Sequence, residues 1–490
     1  MSDTSLGSRA SRGASTTLIW QAVRIITQLA SVVVLARLLS PGAFGLIAMV
    51  TSLVGIGEIL RDFGLTSAAV QARSLDRRQK SNLFWINTGI GAALTVVVFL
   101  CAPLIAALYG QPELTDLARA LSVTFVLNGL ATQFRAELNR RMRFLALNVV
   151  DTVPAVVGLG AAILAAILTS SVWALVLQQL VTALLGLALA VSVARWMPGM
   201  PSRGAGMGTL IRYGSGVLGT QGIAYVTKNI DSVAIGLLWG PAALGLYNRA
   251  YQLLMAPIVQ LLAPMTRVAL PVLSRLQDDR TRFMAFLRRG QLVGSLIAGT
   301  IYALAIGLAH PLVVLVFGEE WIQLVPIFQA LGVGGIFRAL NQVAYWAYLS
   351  LGLSVQQFRY YLVSQPIIVL CLLAGLPWGP LGVAVGHSVA YALNWFAALW
   401  WCGRITRLSF QPLVKDALRT TATIALPITV LGIGVSALIS NPLIAVGAGL
   451  AAAAVWGTIA YLAFPPTRRD VHDLMDVVKR VRRSDRKKGN

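Results

Sequence analysis

The chain has 490 residues, of which 57% are hydrophobic and only 12% charged. A water-soluble domain carries about 25% charged residues, so a soluble enzyme or binding module of this length is excluded and the membrane class is indicated. The formal net charge of +22 would suit nucleic acid, but where the basic residues fall along the chain excludes that partner.

The polar stretch 1–15 reads as a cytoplasmic tail without a cleavable leader, because the first apolar run that follows it looks like a retained helix. A membrane helix needs roughly 20 mostly apolar residues. Fourteen such runs follow, at 16–36, 43–60, 82–108, 117–134, 147–169, 171–194, 209–238, 242–266, 290–317, 324–350, 360–377, 380–402, 418–439 and 442–464. The fourth, seventh and eighth carry the most polar residues. The tail after them places Val471, Leu474, Met475, Val478 and Val481 on one helical face among basic residues. That pattern suits either a helix lying on anionic lipid or a solvated tail.

Cytoplasmic loops of membrane proteins are enriched in Lys and Arg. With the N-terminus inside, basic clusters follow the even-numbered runs: Arg61, Arg73, Arg77, Arg78 and Lys80; Arg135, Arg140, Arg141 and Arg143; Arg267, Arg275, Arg280, Arg282, Arg288 and Arg289; Arg404, Arg407, Lys415 and Arg419. The outer loops carry Glu113, Asp116, Glu319 and Glu320. An odd number of spans would scramble this alternation. Both termini are therefore expected in the cytoplasm. Cys101, Cys371 and Cys402 all lie in apolar runs without paired spacing, so no disulfide frame or zinc site is indicated.

The two halves repeat. Pro41-Gly42-Ala43-Phe44-Gly45-Leu46 recurs as Pro241-Ala242-Ala243-Leu244-Gly245-Leu246, and Ala102-Pro103-Leu104 recurs as His310-Pro311-Leu312. Six helices per copy is an even number, so the copies enter the membrane in the same sense, as parallel bundles about an axis along the membrane normal. The expected fold is all-α: two six-helix lobes at 16–200 and 201–405, two extra transmembrane helices at 406–465, and a basic cytoplasmic tail at 466–490. A central cavity between lobes that rock to open on either side is the geometry expected for alternating access.

Charges at membrane depth cost about 2.5–3.5 kcal/mol on insertion scales, so they should face a cavity or a partner. The first helix carries Thr17, Gln21, Arg24, Gln28 and Ser31 on one face. The seventh carries Gln221, Tyr225, Lys228 and Ser232 at the same spacing, with Gln21 matching Gln221 and Gln28 matching Lys228 at an offset of 200. Asn248 and Arg249 in the eighth and Arg338 and Asn341 in the tenth add to the set. These residues are the candidate substrate cavity: guanidinium and ammonium groups would hold a phosphate or acidic sugar, and amides and tyrosines would meet sugar hydroxyls. The competing reading is that they only bond to one another between helices, with Glu58 neutralising Arg24 and Asp231 pairing with Lys228. Glu58, Asp62 and Asp231 are also candidates for coupling to protons or sodium, while His387 reads as a packing residue.

Neither a GxxxxGK[ST] phosphate loop nor a GxSxG or HExxH motif occurs. The outer loops are too short to carry catalytic residues. No enzyme activity, cofactor or metal is expected.

Several segments together resemble the oligosaccharide flippases of the polysaccharide transport family, within the multidrug/oligosaccharidyl-lipid/polysaccharide superfamily, and its colanic acid exporter branch in particular. They are Leu35-Ala36-Arg37-Leu38-Leu39-Ser40-Pro41, Asp62-Phe63-Gly64, Tyr109-Gly110-Gln111-Pro112-Glu113-Leu114, Leu244-Gly245-Leu246-Tyr247-Asn248-Arg249-Ala250 and Pro271-Val272-Leu273-Ser274-Arg275. The resemblance implies a two-lobed helical flippase with a central cationic cavity and cation-gradient coupling. It implies as substrate an oligosaccharide repeat unit on undecaprenyl pyrophosphate, moved to the outer leaflet for exopolysaccharide, capsule or O-antigen, and a polysaccharide polymerase or co-polymerase as a further partner. It carries Arg249 by motif, and Arg24 by position in the first helix. The alternative is a cation-coupled antiporter of drugs or small metabolites from the same superfamily, in which acidic and aromatic cavity residues would replace the basic ones.

Overall fold

The computed structural model describes residues 3–62, 75–203, 206–470 and 472. The side chains of Thr17, Asp62 and Gln221, and the expected amphipathic tail beyond 472, lie outside the described residues. The described residues form helices and connecting turns, with no strand among them. This is what the bilayer dictates for an open chain, since acyl chains cannot satisfy backbone N–H and C=O groups.

The chain divides into two compact units, Met1–Gly245 and Leu246–Asn490. The first contains α1 (Asp3–Leu38), α2 (Pro41–Asp62), α3 (Arg77–Tyr109), α4 (Leu114–Arg140), α5 (Phe144–Thr169), α6 (Trp173–Ala194) and most of α7 (Gly208–Pro257). The second continues with α8 (Ala263–Arg275), α9 (Arg280–Gly307), α10 (Ala309–Val316), α11 (Leu324–Leu340), α12 (Gln342–Ser350), α13 (Ser354–Ala374), α14 (Gly379–Thr406), α15 (Gln411–Thr420), α16 (Leu426–Leu438) and α17 (Pro442–Ala463).

All fourteen expected runs fall on helix, and eleven helical stretches among the described residues are long and apolar enough to cross a membrane. Two spans share α7, which bends at Gly240, where φ is 79°. The tenth span is split at Asn341 and the ninth at Leu308, and the thirteenth passes through a π-helical turn at Thr421–Ala425. Two boundaries differ from the sequence reading in a way that matters. Helix α4 runs on to Arg140 and α9 begins at Arg280, so Arg135, Arg288 and Arg289 stand on helices rather than in loops. Charged side chains end an apolar run without ending a helix whose backbone bonds can continue.

The repeat is visible in the break points. Pro41 opens α2, and Pro241 resumes α7 directly after Gly240. Proline suits a first helical position because its missing N–H needs no partner there. Inside the first unit the two copies meet reciprocally. A methyl group on Gly45 would lie 1.7 Å from the carbonyl oxygen of Pro241, and one on Gly245 would lie 1.9 Å from that of Pro41. Only glycine allows this backbone approach.

Small residues set other helix crossings, as is usual in membranes. A methyl on Gly91 would lie 2.6 Å from the Phe125 carbonyl oxygen, and one on Gly129 would lie 2.7 Å from that of Asn87, so α3 and α4 pack backbone to backbone. In the second unit α9 crosses α16 where a methyl on Gly307 would lie 2.8 Å from the Thr429 carbonyl oxygen, and the Ser436 hydroxyl donates to the Gly307 carbonyl at 3.0 Å. The outward surfaces of α3, α16 and α17 are apolar, with Leu100, Leu104, Leu426, Val430, Leu443 and Ile444 exposed. In lipid that exposure carries no hydrophobic cost.

Candidate functional site

Gln21, Arg24 and Gln28 are all exposed along α1. Guanidinium and amide groups within a span are costly unless they meet water or a polar partner. Ser31, one turn further, accepts a hydrogen bond from Gln178 Nε2 of α6 at 3.0 Å, which fixes the rotation of α1 in its unit.

Beside this row stands an ion cluster absent from the sequence reading. Arg135 of α4 places Nε 3.7 Å from Asp151 Oδ1 of α5, with both side chains about one-third exposed. The charge of Arg24 acts on the same carboxylate. Gly186 of α6 makes room for Arg135: a methyl there would lie 2.8 Å from its Nη2. Arg135 thus faces Asp151, and the charge of Arg24 on α1 acts from nearby, so the group is net positive. Asp151 had a readable signal, an acid inside the apolar run 147–169. Arg135 lies one residue past the end of the run 117–134 and was counted with the loop.

The competing reading paired Glu58 with Arg24; the structure gives Glu58 another partner. Glu58 instead binds Arg61 on its own helix, with Arg61 Nε 2.8 Å from Oε2, and accepts from Asn128 Nδ2 at 3.2 Å. Arg61 also donates to the Asn128 carbonyl at 3.3 Å and to the Thr132 hydroxyl. The reason is spacing: residues three apart on a helix share a face, so Arg61 reaches Glu58 without crossing to another element. Further along α4, Glu137 is 2% exposed and accepts from Lys80 Nζ at 2.9 Å and Arg141 Nε at 2.6 Å. Burial pushes its carboxyl up, but the two cations outweigh this and hold it below the usual carboxylate range.

Tyr225 is spent on structure. Its hydroxyl donates to the carbonyls of Thr51 at 2.9 Å and Ser52 at 3.2 Å, over a gap left by Gly55. Lys228 is exposed, and the buried Asp231 accepts from the Ser232 N–H at 2.8 Å.

In the second unit Arg249 donates to Gln252 Oε1 at 2.6 Å, and both Asn248 and Arg249 are half-buried. Arg338 donates to the Tyr251 hydroxyl at 3.1 Å and lies 4.8 Å from the ring centroid of Tyr391, a cation–π contact. His387 packs its ring 4.5 Å from that of Tyr391, in keeping with a packing role. Asn341 stands at the break between α11 and α12 with a buried Oδ1 that no hydrogen bond reaches.

A helical chain of this length with eleven stretches able to cross a membrane belongs to the class of polytopic membrane proteins. The structure is similar to that of lipid II flippase MurJ in an inward closed conformation, with a TM-score of 0.71 over 91% of this chain and 99% of that one, at 14% identity. The sequence is 25% identical over 398 residues to lipopolysaccharide biosynthesis protein WzxC of Escherichia coli (strain K12), covering 80% of each chain. It is 28% identical over 378 residues to teichuronic acid biosynthesis protein TuaB of Bacillus subtilis (strain 168), covering 74% of this chain and 77% of that one. The profile of the polysaccharide biosynthesis protein family matches residues 34–326, and the chain belongs to that family.

Proposed function

We propose that this protein flips a lipid-linked oligosaccharide, borne on undecaprenyl pyrophosphate, from the cytoplasmic to the outer leaflet by alternating access, and so supplies exopolysaccharide, capsule or O-antigen synthesis. The observation that carries the reading is the net-positive Arg24–Asp151–Arg135 cluster beside the water-facing row of α1. A diphosphate headgroup needs several charge-assisted N–H donors, and a glycan needs amides such as Gln21 and Gln28. No bond is made or broken, so the chain needs no catalytic group or cofactor. The relatives named for polysaccharide assembly and the fold shared with a lipid flippase support the same reading.

The repeating lobes in this reading are 16–200 and 201–405, followed by the helices of 406–465, with both termini in the cytoplasm of the bacterial inner membrane. Arg249 and Arg338 supply basic charge in the second lobe, with Lys228 on the half of α7 that belongs to the first compact unit. Glu58, held by Arg61, acts as a structural anion, which leaves Asp62 and Asp231 as the coupling candidates. The test is deletion of the gene followed by extraction of lipid-linked glycans and an assay of surface polysaccharide. The reading expects loss of the polysaccharide, restored by the wild-type gene and not by Arg24→Ala or Arg135→Ala at equal protein level. An unchanged polysaccharide in a strain with no second flippase overturns it and points to small-molecule export.

A further inference from the structure

The Arg24–Asp151–Arg135 cluster has a built-in imbalance. Arg135 Nε stands 3.7 Å from Asp151 Oδ1, beyond hydrogen-bond reach, and it is buried with no other hydrogen-bond partner. A guanidinium offers five N–H donors. Two of them facing a single carboxylate leave most donors without a charged acceptor. Packing nonetheless holds the arrangement. Gly186 leaves the Nη2 of Arg135 a seat that a methyl group would fill, and Gln178 pins α1, which bears Arg24, through Ser31. Asp151 thus faces Arg135 too loosely to satisfy it, with the charge of Arg24 acting on it from α1.

We infer that Asp151 is a placeholder counter-ion: it keeps Arg24 and Arg135 gathered for a diphosphate headgroup and competes with that headgroup once it arrives. The inference rests on the flippase reading and deepens it at the same site. Without Asp151 the two like charges repel and nothing orders them when the site is empty. With it, an arriving diphosphate replaces a loose ion pair by bidentate contacts, yet still meets the carboxylate's negative charge. Repulsion from Asp151 then limits how tightly the headgroup is held. A transporter needs that limit, because a substrate bound too tightly is not released on the other side. Asp151 acts through the arginines and is a positioning residue.

The experiment uses the full-length protein in nanodiscs, with farnesyl diphosphate as probe and farnesol as the uncharged control. Asp151→Asn is expected to bind farnesyl diphosphate about fivefold or more tightly than wild type, roughly 1 kcal/mol, with farnesol binding unchanged and polysaccharide export reduced. Asp151→Glu, which keeps the charge, is expected to stay within about twofold of wild-type affinity. A purely structural aspartate would lose affinity with stability, so a gain in affinity separates the two roles. If Asp151→Asn does not fold, Gly186→Ala tests the same seat: crowding Arg135 should weaken diphosphate binding and leave farnesol binding alone. Equal or weaker diphosphate binding by a folded Asp151→Asn, or unchanged binding by Gly186→Ala, overturns the inference. If Arg24→Gln and Arg135→Gln lose binding and export while Asp151→Asn matches wild type, the placeholder role alone fails. If those arginine variants bind and export normally, the cationic-site reading fails with it.

Discussion

Replacing Gly245 by alanine puts the reciprocal contact of the repeat under direct load. The new methyl would sit 1.9 Å from the carbonyl oxygen of Pro41, where ordinary contact begins at 3.4 Å. The two segments must therefore part by about 1.5 Å, and interiors packed like crystals resist such a shift. Overpacking costs about 1–3 kcal/mol, and the upper end applies because a backbone carbonyl cannot swing aside. Alanine gains about 1 kcal/mol of helix propensity over glycine, so the net loss is about 2 kcal/mol. Gly89→Ala is the control, since a methyl there meets nothing within 4 Å and only the propensity gain remains. The assay is thermal unfolding in nanodiscs followed by tryptophan fluorescence. Gly245→Ala and Gly45→Ala should both unfold below wild type and Gly89→Ala at or above it. The double variant should lose less than the sum, because one displacement relieves both clashes. Gly245→Ala unfolding at or above the wild-type temperature would refute the argument.

Glu137→Gln should cost about 1–3 kcal/mol at pH 7, since it removes the buried negative charge that Lys80 and Arg141 share. The folded carboxyl titrates below its ordinary value of 4.5, so its contribution is complete above that pH and fades as pH falls through the lower folded value. Melting curves from pH 7 to 4 should show the gap between wild type and variant closing at the acid end. Asp416→Asn should destabilise by about 1–3 kcal/mol, below the cost of breaking a fully buried pair because Arg288 is half-exposed. The carboxylate binds Arg288, with Nη2 at 3.0 Å, and Arg419, which also grips the buried Asp470. Early tryptic cleavage near 465–470 would report the loosened end. Gly307→Val should part α9 from α16, costing at least 1–3 kcal/mol, and would show as a second, earlier unfolding transition.

The helices were legible in the sequence because the bilayer leaves few alternatives: a run of about 20 apolar residues at this composition is a span. Breaks inside spans were harder to place: Gly307 and Pro311 flank the break at Leu308 and Asn341 marks the other, but each such residue is also tolerated within an unbroken membrane helix. Half of the site was readable. The spacing of Gln21, Arg24, Gln28 and Ser31 fixes one face of α1 whatever surrounds it. The partners were not readable, because Arg135 and Asp151 meet only when α4 and α5 are packed. The partner of Glu58 was legible from spacing alone, because Arg61, three residues away, shares its face. Tyr225 matched the polar stripe of α1 by repeat position, yet its hydroxyl is consumed by the carbonyls of Thr51 and Ser52.

Sidedness of the accumulated intermediate tests the central claim most directly. Spheroplasts depleted of the protein would be treated with a membrane-impermeant reagent that cleaves exposed glycan, and the lipid-linked repeat unit then extracted and measured. The account predicts that the accumulated repeat unit is protected until the protein is restored, becomes accessible with wild type, and stays protected with Arg24→Ala or Arg135→Ala. A repeat unit equally accessible with and without the protein would contradict it.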